Sequence, residues 1–320
     1  ITKVQGDNIT QTTKAAKAAM TFGEHLQDAF SKLSSWTLAL EILRLAKFAV
    51  EDMVQQVKAL DDSLTELKKV TDLEGKSLDE FVNKAYDLST AVAKTGSDMV
   101  NAAAEFAKSG YDNEQILQLG QIALLYTNIA DEELNAGDAA SFIIAQMKAF
   151  NIEADNAISV VDALNEVSNN YAVSSADLAT SIGKVSSTMA ASGTTYQETL
   201  GLLTAITEIT RDAGKAANAL KTISQRLRGV GEDGEDTTKY ISKLQEQFDK
   251  LGINVEIVKQ NGAMESTFNI LSALAEKWND LNDAQRQHIG ELAAGKNRIT
   301  ELNALMSNFG VAISATETAM

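Results

Sequence analysis

The sequence predicts an all-α fold, a long amphipathic N-terminal helix followed by stacked helical hairpins. Three observations lead there. The 320 residues include no proline, the residue that removes a backbone donor and clashes one turn back inside a helix. Ala, Leu, Glu, Lys and Gln, all good helix formers, are plentiful, whereas aromatic residues make up 6%. Apolar residues recur every three or four positions over most of the length, which puts them on one face of a helix.

The elements can be justified in order. About 30 polar, Thr- and Ala-rich residues open the chain and predict a frayed helix or mobile arm. From Trp36 the pattern sharpens: Leu38, Ile42, Leu45, Ala49, Met53, Val57, Leu60, Leu64 and Leu67 share a face, opposite Glu51, Asp52, Gln55, Lys58, Asp62 and Glu66. That is a helix of about 30 residues with nearly coiled-coil spacing. Its apolar face can pack on the rest of its own domain, or it can form a self-association seam through Leu38, Ile42, Leu45, Met53, Val57, Leu60, Leu64 and Leu67. Gly75 is expected to end it, and Ser77 with Glu80 matches a capping box for the next helix.

Further helices are predicted at 77–94, 97–108, 113–130, 133–150, 153–169, 174–191, 195–211, 214–228, 236–251, 264–279 and 282–308. Gly110 lies where a left-handed residue closes a helix, and Ser174 with Asp177 and Thr194 with Gln197 read as helix starts. Short connections imply antiparallel neighbours, hence hairpins stacked in a bundle or solenoid-like array. Ile253, Val255 and Ile257 alternate with polar residues before Asn261-Gly262, which allows a short strand or β-hairpin near 253–263. These signals divide the chain into an arm and long helix at 1–75, a main helical core at 76–228, a flexible hinge at 229–236 and a C-terminal helical subdomain at 237–320.

Composition excludes several functions. No cysteine means no disulfide or thiolate chemistry, and two histidines leave few metal ligands. The net charge of −16 opposes binding to nucleic-acid phosphates or anionic lipid, and the densest basic cluster, Lys68-Lys69, is flanked by Glu66 and Asp72. The most apolar stretch, 36–50, carries Glu41, Arg44 and Lys47 and predicts no membrane span. The polar start is no signal peptide, and the chain reads as an internal piece of something longer.

Two phosphate-binding patterns fail on context. Gly229 to Gly234 spells the dinucleotide fingerprint, but a helix precedes it and Glu232 and Asp233 would face the phosphates. Gly290 to Asn297 nearly spells a P-loop, yet Asn297 replaces the magnesium-binding hydroxyl and Leu292-Ala293-Ala294 reads as helix. His25 and His288 fit no metal-ligand spacing, and no serine sits in a nucleophile elbow. Neither cofactor nor catalytic residue is expected. Alanine pairs (Ala102-Ala103-Ala104, Ala139-Ala140, Ala190-Ala191, Ala216-Ala217, Ala293-Ala294) let helices approach closely, which would suit a narrow tube or an ordinary tight bundle.

Between about Lys47 and Asn308, the segments Leu60 to Thr71, Met147 to Ala154, Val160 to Asn165, Ser174 to Ala179, Gly193 to Thr199, Asp212 to Leu227, Asn269 to Leu281 and Ile289 to Leu305 resemble, in that order, the core region of phage tail tape measure proteins. Leu60 to Thr71 resembles the family's opening segment. Met147 to Ala154, Val160 to Asn165, Ser174 to Ala179 and Gly193 to Thr199 match its repeated helix units. Asp212 to Leu227 matches the central motif, while Asn269 to Leu281 and Ile289 to Leu305 match the closing element. Departures are Thr210-Arg211-Asp212-Ala213 for a Gly-rich lead and Ala217-Asn218-Ala219 for an Ala-Gly-Thr, which bear on the local turns.

The resemblance implies a non-enzymatic structural protein of the virion, lying in the lumen of the tail tube. It would set tail length, template assembly and leave ahead of the DNA. The partners it implies are the tail tube protein, tail assembly chaperones, tail tip or baseplate proteins and further copies of the chain, without direct nucleic-acid recognition. A helical interaction or signalling module of a bacterial coiled-coil protein is the competing reading.

Overall fold

Helix caps set where each element begins. In the computed structural model, which describes residues 50–130, 133–230 and 237–320, most helices start at a side chain that accepts an otherwise unpaired N–H. The first helices are α1 (Val50–Val70), α2 (Gly75–Ala91), α3 (Gly96–Lys108), α4 (Asn113–Ile129) and α5 (Ala136–Phe150). A 3-10 turn at Ala154–Asn156 leads to α6 (Ile158–Asn170), α7 (Ser175–Ala191), α8 (Tyr196–Thr210) and α9 (Ala213–Leu227). Then follow α10 (Thr237–Lys250), α11 (Thr267–Trp278), α12 (Asp283–Ala294), α13 (Ile299–Ser307) and α14 (Phe309–Thr318).

The described residues are all-helical apart from connections, as the sequence predicts. The anticipated β-hairpin near 253–263 is instead a loop with one antiparallel bridge, Val258 to Met264. Lys259 N–H to the Ala263 carbonyl (2.8 Å) and Glu265 N–H to the Ile257 carbonyl (3.0 Å) complete it. Ile253 and Ile257 are buried in the helical core, which leaves the alternating segment no partner strand. The helix expected at 282–308 is two helices, because Gly295 turns to φ +72° and closes α12. Gly75 does not end α1, which stops at Val70; it opens α2, and Ser77 is the third residue of that helix, where its Oγ accepts the Glu74 N–H at 3.2 Å. The start assigned to Thr194 belongs to Thr195, whose Oγ1 accepts the Glu198 N–H at 3.2 Å.

The helices form a tandem repeat of quartets. In α2–α5 the first helix packs on the second and third, the second on the third and fourth, and the third on the fourth; α6–α9 repeat every one of these contacts. The second helices α3 and α7 bury the same positions counted from their caps, Thr95 and Ser174: Met99 and Leu178, Ala102 and Ser181, Ala103 and Ile182, Phe106 and Val185, Ala107 and Ser186. The third helices α4 and α8, capped by Asp112 and Thr195, likewise bury Leu119 and Leu202, Ile122 and Ala205, Ala123 and Ile206, Leu124 and Thr207. The fourth helices α5 and α9 bury alanine pairs at one register, Ala139-Ala140 and Ala216-Ala217. Even the loop before each second helix is tethered alike. Asn128 Nδ2, at the end of α4, donates to the Val92 carbonyl (2.7 Å), and Arg211 Nη1, at the end of α8, donates to the Ala172 carbonyl (3.0 Å).

A third, looser quartet, α10–α13, keeps the first–third, second–fourth and third–fourth contacts, and α12 buries Ile289, Leu292, Ala293 and Ala294 at the positions used by α4 and α8. One hydrophobic core runs from Leu60 to Ala319, across the boundary expected at 229–236, of which 231–236 lie outside the described residues. The last helix, α14, turns back and lies along α8. It approaches so closely at Gly201 that a methyl group there would overlap Thr316 Oγ1 and the Ala312 carbonyl.

Candidate functional site

The central stretch Asp212 to Leu227, the most informative in the sequence, is α9. Asp212 caps it by accepting the Lys215 N–H at 2.8 Å. That backbone bond, with the Lys215 ammonium beside it (3.3 Å), holds the Asp212 carboxyl below the usual carboxylate range. Ala213, Ala216, Ala217, Ala219, Leu220, Ile223, Ser224 and Leu227 are buried, so one side of α9 is committed to the core.

Near the end of α9 sits its most elaborate side chain. Arg226 Nε donates to the Leu292 carbonyl (3.1 Å) and Nη2 to the Glu291 carbonyl (3.2 Å). These lie in the last turn of α12, where the Glu291 carbonyl also accepts the Gly295 N–H (3.0 Å), and a cation is favoured at this negative end of the helix dipole. The guanidinium lies 5.3 Å from the centre of the Tyr240 ring, within cation–π range, and the Tyr240 hydroxyl also donates to the Leu292 carbonyl. Gly295 closes α12 directly against the guanidinium, where a β-carbon would meet Nη1 at 3.3 Å. Arg226 therefore joins α9, α10 and α12, elements far apart in sequence. It is a structural junction: its Nε and Nη2 donors meet carbonyls at the end of a neighbouring helix.

Several other polar groups inside the fold are also occupied, whereas Gln146 Nε2, Thr207 Oγ1 and Glu301 Oε2 are buried without a hydrogen-bond partner among the described residues. The Tyr196 hydroxyl donates to the Val160 carbonyl at 2.9 Å, and burial pushes its pKa well above the ordinary tyrosine value. Thr199 and Thr204 return their hydroxyls to carbonyls one turn back on α8 (2.7 and 2.8 Å). Among the described residues no group of His, Asp and Glu side chains could hold a metal ion. A surface depression of about 610 Å³ lies along α10 between Ile241, Gln245, Asp249 and Val258. Another, of about 430 Å³, lies between Phe150, Glu153, Thr195 and Gln197. Ser242 in the first depression donates its hydroxyl to the Thr238 carbonyl (2.9 Å), one turn back on α10.

The residues singled out in the sequence fall as follows. Leu38, Ile42 and Leu45 lie outside the described residues. Met53 and Val57 are on α1, and Leu60, Leu64 and Leu67 are buried where α1 packs on α3 of the same chain. His25 is outside the described residues and His288 is exposed on α12. The near-P-loop is the end of α12: Gly290 and Leu292 to Gly295 are buried, whereas Lys296 points to solvent. The dinucleotide-like glycines begin at the end of α9 with Gly229, and their remainder lies outside the described residues. Arg226 was not a sequence candidate. Its only signal was a basic residue in the last turn of a helix, which many solvated helices share.

No helix of the described residues is long and apolar enough to cross a membrane. No solved structure matches the chain. Comparison with known families matches residues 82–295, from α2 to the close of α12, to the phage-related minor tail proteins. Most of the chain is covered, including all of the second quartet and the Arg226 junction, and the all-helical, structurally committed interior agrees with a structural component of a phage tail. The chain belongs to the phage-related minor tail protein family.

Proposed function

We propose that this chain is the core of a tail tape measure protein, which sets tail tube length, templates tube assembly and leaves the virion ahead of the DNA. What carries the reading is the run of motifs from Lys47 to Asn308 in tape measure order, on a chain of the minor tail family. Supporting it are a proline-free chain of 320 residues and polar groups spent on helix-to-helix bonds rather than on a reaction centre. The chain acts by its dimensions, in the lumen of the tube, against tail tube protein, assembly chaperones and tail tip or baseplate proteins.

Two states serve this role. As one continuous helix the chain would reach on the order of 480 Å, whereas folded it has a radius of gyration of about 20 Å. We assign the quartet array to the folded state and an extended packing to the assembled tail. In-frame shortening of the parent gene, with tails measured by electron microscopy, tests the ruler: a removed segment of 80 residues shortens the tube by about 120 Å if it lies as helix. Tubes of unchanged length would defeat the reading. Crosslinks from assembled tails that match only the folded contacts would defeat the two states.

Self-association belongs to the same proposal. Leu60, Leu64 and Leu67 are already covered by α3, so pairing between copies runs through Leu38, Ile42, Leu45, Met53 and Val57. Light scattering of the chain with and without Ile42→Lys and Val57→Lys tests it. An oligomer that falls to monomer supports the seam; a mass that the substitutions leave unchanged contradicts it.

A further inference from the structure

The contact that links one quartet to the next is made three times. α1 packs on α3, α5 on α7 and α9 on α11, each time the helix that ends one unit lying on the second helix of the next. The registers agree as well. Read back from their last residues, Val70 and Phe150, α1 and α5 bury Leu67 and Met147, Leu64 and Ile144, Ser63 and Ile143, Leu60 and Ala140. On α9 three of the four corresponding positions, Ala217, Leu220 and Ser224, are buried too, whereas the fourth, Lys221, is exposed.

Each of the three contacts also carries a side-chain hydrogen bond across it. Ser63 Oγ donates to Asn101 Oδ1 (2.6 Å) between α1 and α3, and Ser186 Oγ donates to Gln146 Oε1 (2.6 Å) between α7 and α5. Between α9 and α11, Ser224 Oγ and Thr267 Oγ1 are 2.9 Å apart. The three bonds lie at different heights on the occupying helices, at Ser63, Gln146 and Ser224, and the Ser186 hydroxyl also meets the Ile182 carbonyl of its own helix (2.6 Å).

We infer that these are one recognition socket used three times, with α1, α5 and α9 as interchangeable occupants. α1 by this reading takes the part that α5 and α9 take, and the quartet is the step by which this chain lengthens or shortens while its core still closes. Nearest-neighbour packing of this kind makes stability a sum over units and their junctions. The inference goes beyond tail measurement and does not depend on it.

The test uses the purified chain carrying Trp36→Phe, which leaves buried Trp278 as its one tryptophan. Removing residues 71–150 deletes four helices and joins Val70 to Asn151, so that α1 meets α7 in place of α5. A second variant inserts another copy of 71–150 after Phe150. A third removes only 112–150, which deletes α4 and α5 and breaks the phase of the repeat although fewer residues are lost. Circular dichroism melts and Trp278 emission report folding. The inference expects a single cooperative transition with buried-tryptophan emission from at least one of the two in-phase variants, and loss of both signals in the out-of-phase chain. Loss of cooperativity in both in-phase variants overturns it, as does cooperative melting of the 112–150 deletion. Because no particle is involved, failure here leaves the tail-length proposal standing, and failure of that proposal leaves this one untouched.

Discussion

The first quartet, α2–α5, and the second, α6–α9, share connectivity, caps and inward-facing positions, but their third helices have different surroundings. On α4, Gln118 is exposed, and the helix keeps a polar outer face. The corresponding residue of α8 is Gly201, on which α14 lies, and α8 is buried without a break from Thr199 to Thr207. The inner contacts define the unit, and the outer face is free to vary with what lies on it. On α8 Thr199 and Thr204 return their hydroxyls to carbonyls one turn back, so a hydrophilic composition survives inside the protein, although the Thr207 hydroxyl is buried without a hydrogen-bond partner.

Five substitutions probe this comparison. At one shared position the first quartet has Phe106 and the second Val185, both fully buried. Phe106→Ala should cost about 3–5 kcal/mol in urea denaturation, and Val185→Ala distinctly less, since the cavity left is smaller. Equal losses would show that the two sites are not packed alike. Arg226 stands at the register of Ala149 on α5, so Arg226→Ala makes the second quartet resemble the first. It removes two charge-assisted bonds to the end of α12, and a loss of about 1.5–3 kcal/mol is expected. Hydrogen exchange should rise at the end of α12 rather than in the first quartet. Gly201→Ala should cost about 1–3 kcal/mol by forcing α14 outward. Gln118→Ala, its counterpart, should stay within about 0.5 kcal/mol.

The smallest effect concerns the caps of the fourth helices, Asn135 on α5 and Asp212 on α9. Asn and Asp cap about equally well, so Asp212→Asn should leave stability at pH 7 nearly unchanged. Acid separates them. The Asp212 carboxyl is held below its ordinary value by the Lys215 N–H and ammonium, so its contribution is fully present above the unfolded-state pKa of about 3.9. It is lost as pH falls through the lower folded value. The variant should therefore lose less stability than the natural chain between about pH 4 and pH 2; identical acid melts would remove the charge from the account of this cap.

Much of the architecture could be read before any coordinates. Proline absence and the three-to-four spacing give the class, and Ser174 with Asp177 and Gly110 mark true helix ends. Starts were misplaced where neighbours offer the same chemistry: Thr194 and Thr195 both precede an acid or amide by three residues, and only packing decides between them. The break at Gly295 was hidden because its surroundings, Leu292-Ala293-Ala294 and Ile299 to Leu305, favour helix on both sides. What closes α12 there is a guanidinium 69 positions away in the chain, in α9. The quartet repeat left little trace because equivalent sites hold unlike side chains, such as Phe106 and Val185 or Gly120 and Leu203. Geometry is repeated where identity is not.

The alanine pairs Ala139-Ala140 and Ala216-Ala217 have a mechanical consequence. A methyl side chain has no rotamers to freeze, so closing such a seam costs no side-chain entropy, and opening it exposes little oily area. A chain drawn from its two ends would give way first along these smooth lines and last among the leucines and phenylalanines. On release it shuts again without searching for the fit of long side chains.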